Sequence, residues 1–179
     1  MRKSLFLIAF MLLFTASALA AGPKIGVVNM QKIITKSEPG QNAMTQLQEK
    51  FKGAKEKMDK QKQAIQTLRE DLQKQSMVLS QEAKEDKEMD FKRKVRDFQD
   101  MYKGYQRKFK MEEQKLSEPV LKLIVDVITT YGKKQAYTTI TDAQASGLIY
   151  ADEKVDLTDT IIVEVNRAWR AQKTEKGTK

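Results

Sequence analysis

Catalysis would need side chains that this chain does not carry. Histidine and cysteine are both absent, which removes the commonest general base, thiol nucleophiles and the usual zinc ligands. The eight glycines are scattered, with no glycine-rich loop to cradle a phosphate. Carboxylates are plentiful, but their setting among lysines and glutamines puts most of them on solvated helix faces, where little would shift their ionisation toward a catalytic value. The expectation is a protein that is not an enzyme and uses no cofactor or metal.

What remains is the chemistry of binding. Met77, Met89, Met101 and Met111 fall outside the apolar heptad positions counted below, and an unbranched, polarisable side chain suits a surface that meets varied partners. They either face a bound polypeptide or pack locally between helices, and the pattern leaves both open. The basic run Lys92, Arg93, Lys94 with Arg96 could attract acidic polypeptide or anionic lipid near the end of a helical arm. Runs of this kind are more often solvated faces, and Glu85, Asp86, Glu88 and Asp90 just before it dilute the charge.

Composition narrows the partner and the compartment. Thirty-three Lys and Arg against 24 Asp and Glu give a formal net charge of +9, which favours nucleic acid, acidic lipid headgroups or acidic polypeptide. Arg2 and Lys3, the apolar run Leu5 to Phe14, and Ala18-Leu19-Ala20 together read as a secretory signal cleaved after Ala20. Its apolar run of about ten residues is far short of the roughly twenty that a spanning helix needs. With no cysteine there is neither a lipid-attachment residue nor a disulfide. The mature protein is expected in the periplasm, where nucleic acid is not a physiological partner.

The elements that position these residues follow from periodicity. Lys24 to Asn29 reads as a strand, Met30 to Lys36 as one or two helical turns, and Ser37-Glu38-Pro39-Gly40 as the turn that ends them. From Met44 the chain falls into heptads: Met44, Phe51, Met58, Ile65, Leu72 and Leu79 alternate with Leu47, Ala54, Gln61, Leu68 and Gln75. A second series, Phe91, Val95, Phe98, Tyr102, Tyr105, Phe109, Glu112 and Leu116, mirrors the first about Ser80 to Glu82. Ser80 suits an N-cap and Glu82 the first turn of a helix. The pattern predicts a helical hairpin with Leu72 near Phe91 and Ile65 near Phe98. Pro119, at its root, would kink the second helix or mark a new one starting near Ser117. Val120 to Ile128 is apolar on several faces and should be buried, with Gly132 as the helix stop. Ala136 to Thr141 and Leu148 to Ala151 read as two more strands, and Asp156 as the cap of a last helix burying Leu157, Ile161, Val165 and Ala168 beside Trp169. Three short strands make a sheet with open edges, which should pair between chains.

The fold class is therefore α+β, mostly α, with a long antiparallel helical hairpin on a small β body. The domains are a signal peptide (1–20), a body from 21–43 and 117–172, arms over 44–116 and a disordered tail over 173–179. Within this layout, Ile25-Gly26-Val27-Val28-Asn29-Met30 after the signal, Phe51-Lys52-Gly53 early in the arm, Thr141-Asp142-Ala143 after the hairpin and Asp156-Leu157-Thr158 opening the last helix resemble the Skp/OmpH family of periplasmic chaperones. The resemblance covers essentially the whole mature chain. It implies a homotrimer whose strands share a central barrel, with arms around a cavity, and an ATP-independent holdase for unfolded outer-membrane β-barrel proteins. Anionic lipid or lipopolysaccharide is a further candidate partner. Family membership brings no catalytic residues. A structural coiled-coil tether of the envelope would explain the heptads equally well, but not the strands that close a body.

Overall fold

The structure is a computed structural model that describes residues 22–75 and 77–177. The expected signal peptide lies outside the described residues. Strand β1 (Ile25–Val28) leads into helix α1 (Met30–Lys36), followed by α2 (Glu38–Gln75), α3 (Gln81–Lys134), strand β2 (Thr139–Asp142), a 3-10 turn at Glu153–Val155 and helix α4 (Thr158–Gly177). No helix among the described residues is long and apolar enough to cross a membrane.

The two strands pair in parallel, with Ile25 opposite Thr139 and Val28 opposite Asp142. Parallel strands need a long crossover, and here the crossover is the whole hairpin. Below it lies the core of Val28, Ile33, Val120, Leu123, Ile124, Leu157, Ile161 and Val165. Asn29 joins its parts, because its side-chain oxygen accepts from the Lys32 amide at 2.8 Å while its own amide donates to Thr158 Oγ1 at 2.9 Å. Asp156 Oδ1 accepts from both the amide and the hydroxyl of Thr158, so the buried threonine is satisfied as α4 starts. Leu157, Ile161 and Val165 point into the core as their spacing requires.

Five expectations are corrected. Leu148 to Ala151 is not a strand: one edge of β1 carries β2, and the other meets only a bridge from Val27 to Asp156. The segment keeps its strand-forming residues without a strand partner among the described residues, and Leu148, Ile149 and Tyr150 are 40%, 101% and 80% exposed. Ser37 to Gly40 does not form a separate turn, since α2 begins at Glu38. Proline is tolerated in a first helical turn, and Gly40 is buried where a Cβ would lie 1.7 Å from the Ile34 carbonyl oxygen. Of the two readings of Pro119, the new helix near Ser117 is excluded, since α3 runs through it as one helix of 54 residues.

Gly132 is not the stop either. The α3 C-terminus is closed by Tyr137 N donating to Gly132 O at 2.9 Å and Ala136 N to Lys133 O at 3.3 Å, with Ala136 at φ 53°. The left-handed residue that ends the helix is thus an alanine, while Gly132 lets Ile140 approach to 3.2 Å from where its Cβ would be. Finally, the expected disordered tail is helical as far as Gly177, with Lys173 Nζ 3.8 Å above the Trp169 ring.

Candidate functional site

The hairpin is built from α2 and α3. Ser80 caps α3 as expected, its hydroxyl accepting from the Ala83 amide at 3.3 Å, and Glu82 occupies the first turn. Between the helices, the described turn residues are 77–80. Phe51 meets Tyr105 edge-on at 5.5 Å and Phe109 at 5.2 Å, Lys50 pairs with Glu112 at 2.6 Å, and Lys87 donates to Gln75 near the tip. The Lys50–Glu112 and Gln75–Lys87 pairs lie within about one residue of the register expected from Leu72 with Phe91 and Ile65 with Phe98, whereas Phe51 reaches back past Glu112 to Phe109 and Tyr105.

Only Leu47 and Met58 of the α2 seam are buried. Gln61, Ile65, Leu68, Leu72 and Gln75 are half-buried, as are Phe91, Val95 and Phe98 opposite them. Two helices cover each other on one side only, so a single hairpin leaves its seam open along both flanks. The counted series is also displaced in places. Met44 is 50% exposed and Ala54 is exposed. After Phe98 the stripe advances three residues rather than four, so Met101 is half-buried in the seam and Tyr102 stacks on Phe98 from outside, with ring centroids 6.2 Å apart.

The other three methionines face solvent, Met77 at the tip and Met89 and Met111 along α3. Lys92, Arg93, Lys94 and Arg96 are exposed. Arg93 and Lys94 both engage Asp90, at 2.6 Å and 3.6 Å. That holds the Asp90 carboxyl below its ordinary range, first through the Arg93 hydrogen bond. Glu112 is lowered in the same way by Lys50. The basic run begins twelve residues beyond Ser80, about 18 Å down the shaft at 1.5 Å per residue, rather than at the tip. Around the tip, residues 70–90 hold seven acids against three lysines, so the end of the hairpin is acidic.

Two features escaped the heptad count. The aromatic trio Phe51, Tyr105 and Phe109 was legible as seam, but the groove beside it, about 760 Å³ and rimmed by Lys52 and Lys55, depends on which flank the lysines take. The apolar run Leu148 to Tyr150 was visible, and only its exposure among the described residues shows it as surface. Among the described residues no group of acidic side chains is placed to hold a metal ion.

A small body of one parallel strand pair and packed helix ends thus bears one long hairpin, and the half-open seam leaves a partly apolar surface along it. The family model described as outer membrane protein (OmpH-like) matches residues 24–165, and the chain belongs to that family. Among solved structures, the fold is similar to that of an OmpH-like protein from Caulobacter crescentus CB15, assigned as an outer membrane chaperone. The TM-score is 0.58 and the identity 17%, over 87% of this chain and 90% of that one. Comparison with curated protein sequences gives no significant match.

Proposed function

We propose that the protein is a periplasmic, ATP-independent holdase that keeps unfolded outer-membrane β-barrel proteins from aggregating, and that it works as a homotrimer. The observation that carries this reading is the half-open seam: hairpin arms about 57 Å long whose apolar stripe is covered on one side only, with Met77, Met89 and Met111 exposed beside it. Weak contacts spread over such a surface hold a chain by avidity without one tight interface. Membership of the OmpH-like family, and the chaperone assignment of the Caulobacter protein with the same fold, support it. The secretory pattern of residues 1–20 supplies the compartment, with cleavage after Ala20. Binding rather than catalysis is the activity, the body formed by 21–43 and 117–172 joins the copies, and the arms over 44–116 hold the client.

Self-association is supported by Leu148, Ile149 and Tyr150, an exposed apolar segment with strand chemistry and no strand partner among the described residues. The test dilutes a urea-denatured outer-membrane β-barrel protein into buffer with the mature protein and no nucleotide. Light scattering should be suppressed at near-stoichiometric oligomer, and the mass in solution should be that of three chains. A requirement for ATP, suppression by catalytic amounts, or a two-chain rod without holding activity would overturn the reading.

A further inference from the structure

The lower arm carries a built groove where the upper arm has only an open seam. Phe51 packs edge-on against Tyr105 at an interplanar angle of 90°, and Tyr105 stacks on Phe109 at 5.8 Å. The Lys50–Glu112 ion pair at 2.6 Å ties the two helices beside the trio. The groove is thus pre-formed, and a guest would not have to order it. Its floor is aromatic and half-buried, and Lys52 and Lys55 stand exposed on its rim, with Glu49 the acid beside them. Neither lysine has an ion-pair partner among the described residues.

Charge decides the occupant. Over 50–69 and 91–110, fifteen lysines and arginines stand against four acids, so the shaft around the groove is strongly positive. The shaft of a second copy would bring the same excess and be repelled, and a basic guest likewise. An acidic guest is attracted, and aromatic walls prefer an aromatic side chain over an aliphatic one through edge-to-face and stacked contacts.

We infer that this groove is the primary anchor for client chains, and that it takes an aromatic side chain of an extended polypeptide whose neighbouring carboxylates are met by Lys52 and Lys55. The assignment rests on the holdase reading and adds to it a preference: acidic, aromatic-bearing segments dock here first, and the rest of the client then lies along the arms.

The test uses the mature protein and fluorescently labelled twelve-residue peptides of alternating aspartate and tyrosine, with one control replacing tyrosine by leucine and another replacing aspartate by lysine. Anisotropy should show the Asp/Tyr peptide bound at least ten-fold tighter than either control. The double variant Lys52→Glu, Lys55→Glu, which alters only the exposed rim, should lose at least ten-fold. Phe109→Leu should bring the Asp/Tyr peptide down to the Asp/Leu level. Equal binding of the tyrosine and leucine peptides, or undiminished binding by the charge-reversed variant, would overturn the assignment. So would a change in oligomer mass with peptide binding intact, which would make the groove an interface between copies. The aggregation assay run in parallel separates the two claims. A charge-reversed variant that holds unfolded protein as well as wild type refutes the groove alone, whereas a wild type that holds none refutes the holdase.

Discussion

Replacing Gly40 with alanine tests whether the arm is fixed to the body by close helix approach. An alanine Cβ would sit 1.7 Å from the Ile34 carbonyl oxygen, and separations near 3.2 Å are already tight, so α1 and α2 must part by about 1.5 Å. Overpacking of this kind costs about 1 to 3 kcal/mol and occasionally more, and a backbone carbonyl cannot swing aside as a side chain can. The gain in helix propensity from glycine to alanine, about 1 kcal/mol, offsets only part of it. We expect a net loss of about 2 kcal/mol, or roughly 4 to 8 °C in Tm for a chain of this size. Gly53→Ala is the matched control, since that glycine is also inside α2 but its Cβ would meet nothing within 4 Å. There the propensity term stands alone, and Tm should rise by roughly 2 to 4 °C. Circular dichroism melts of both variants read the sign directly. A Gly40→Ala protein as stable as wild type would refute the close approach, and a destabilised Gly53→Ala would show that another chain covers that face of the arm.

Three further outcomes follow from contacts described above. Ala136→Gly should raise stability by about 1 kcal/mol in chemical denaturation, because alanine at φ 53° occupies the left-handed region that glycine adopts without penalty. The Arg170 hydrogen bond, then its charge, holds the Glu38 carboxyl below the ordinary range. A depressed carboxyl contributes stability above its unfolded value and loses it as pH falls through the folded one. Glu38→Gln should therefore melt earlier than wild type at neutral pH, with the gap closing as pH falls through and below about 4.3; a gap that is constant with pH would refute the pairing. Ile149→Asp should lower the mass seen by light scattering without lowering helicity, since Ile149 is 101% exposed in one chain.

The parts of this fold that were legible are those whose cause is local or periodic. Heptads placed the hairpin and its register, Ser80 placed the α3 start, and the spacing of Leu157, Ile161 and Val165 placed the buried face of α4. Reading failed where one residue type serves two purposes. Pro39 and Gly40 signal a turn by type, yet proline fits a first helical turn and glycine permits helices to touch. Gly132 has the residue type that ends a helix, while the ending falls to Ala136 and Gly132 leaves room for Ile140. Pro119 breaks helices in isolation, but here the helix on one side packs against α2 and on the other fills the body core, so one lost hydrogen bond does not divide it. Leu148 to Ala151 has strand residues, and a strand also needs a neighbour, which no local pattern supplies. The groove beside Phe51 lay beyond reach because heptads say which side chains meet and not which charges flank them.

The continuity of α3 has a mechanical side. It is a single beam of about 81 Å, with about 57 Å from Gln81 to Pro119 and about 22 Å from there to Lys134, where its last turn hands the chain to β2. Pivoted at the level of Pro119, such a beam is a lever with arms in a ratio of about 2.5 to 1. Pushing its far end sideways by about 10 Å would swing the near end by roughly 4 Å, close to the spacing between adjacent strands. A sideways load on the hairpin thus arrives, geared down and strengthened, at the end of the sheet where Lys24 meets Gln135 and Thr139.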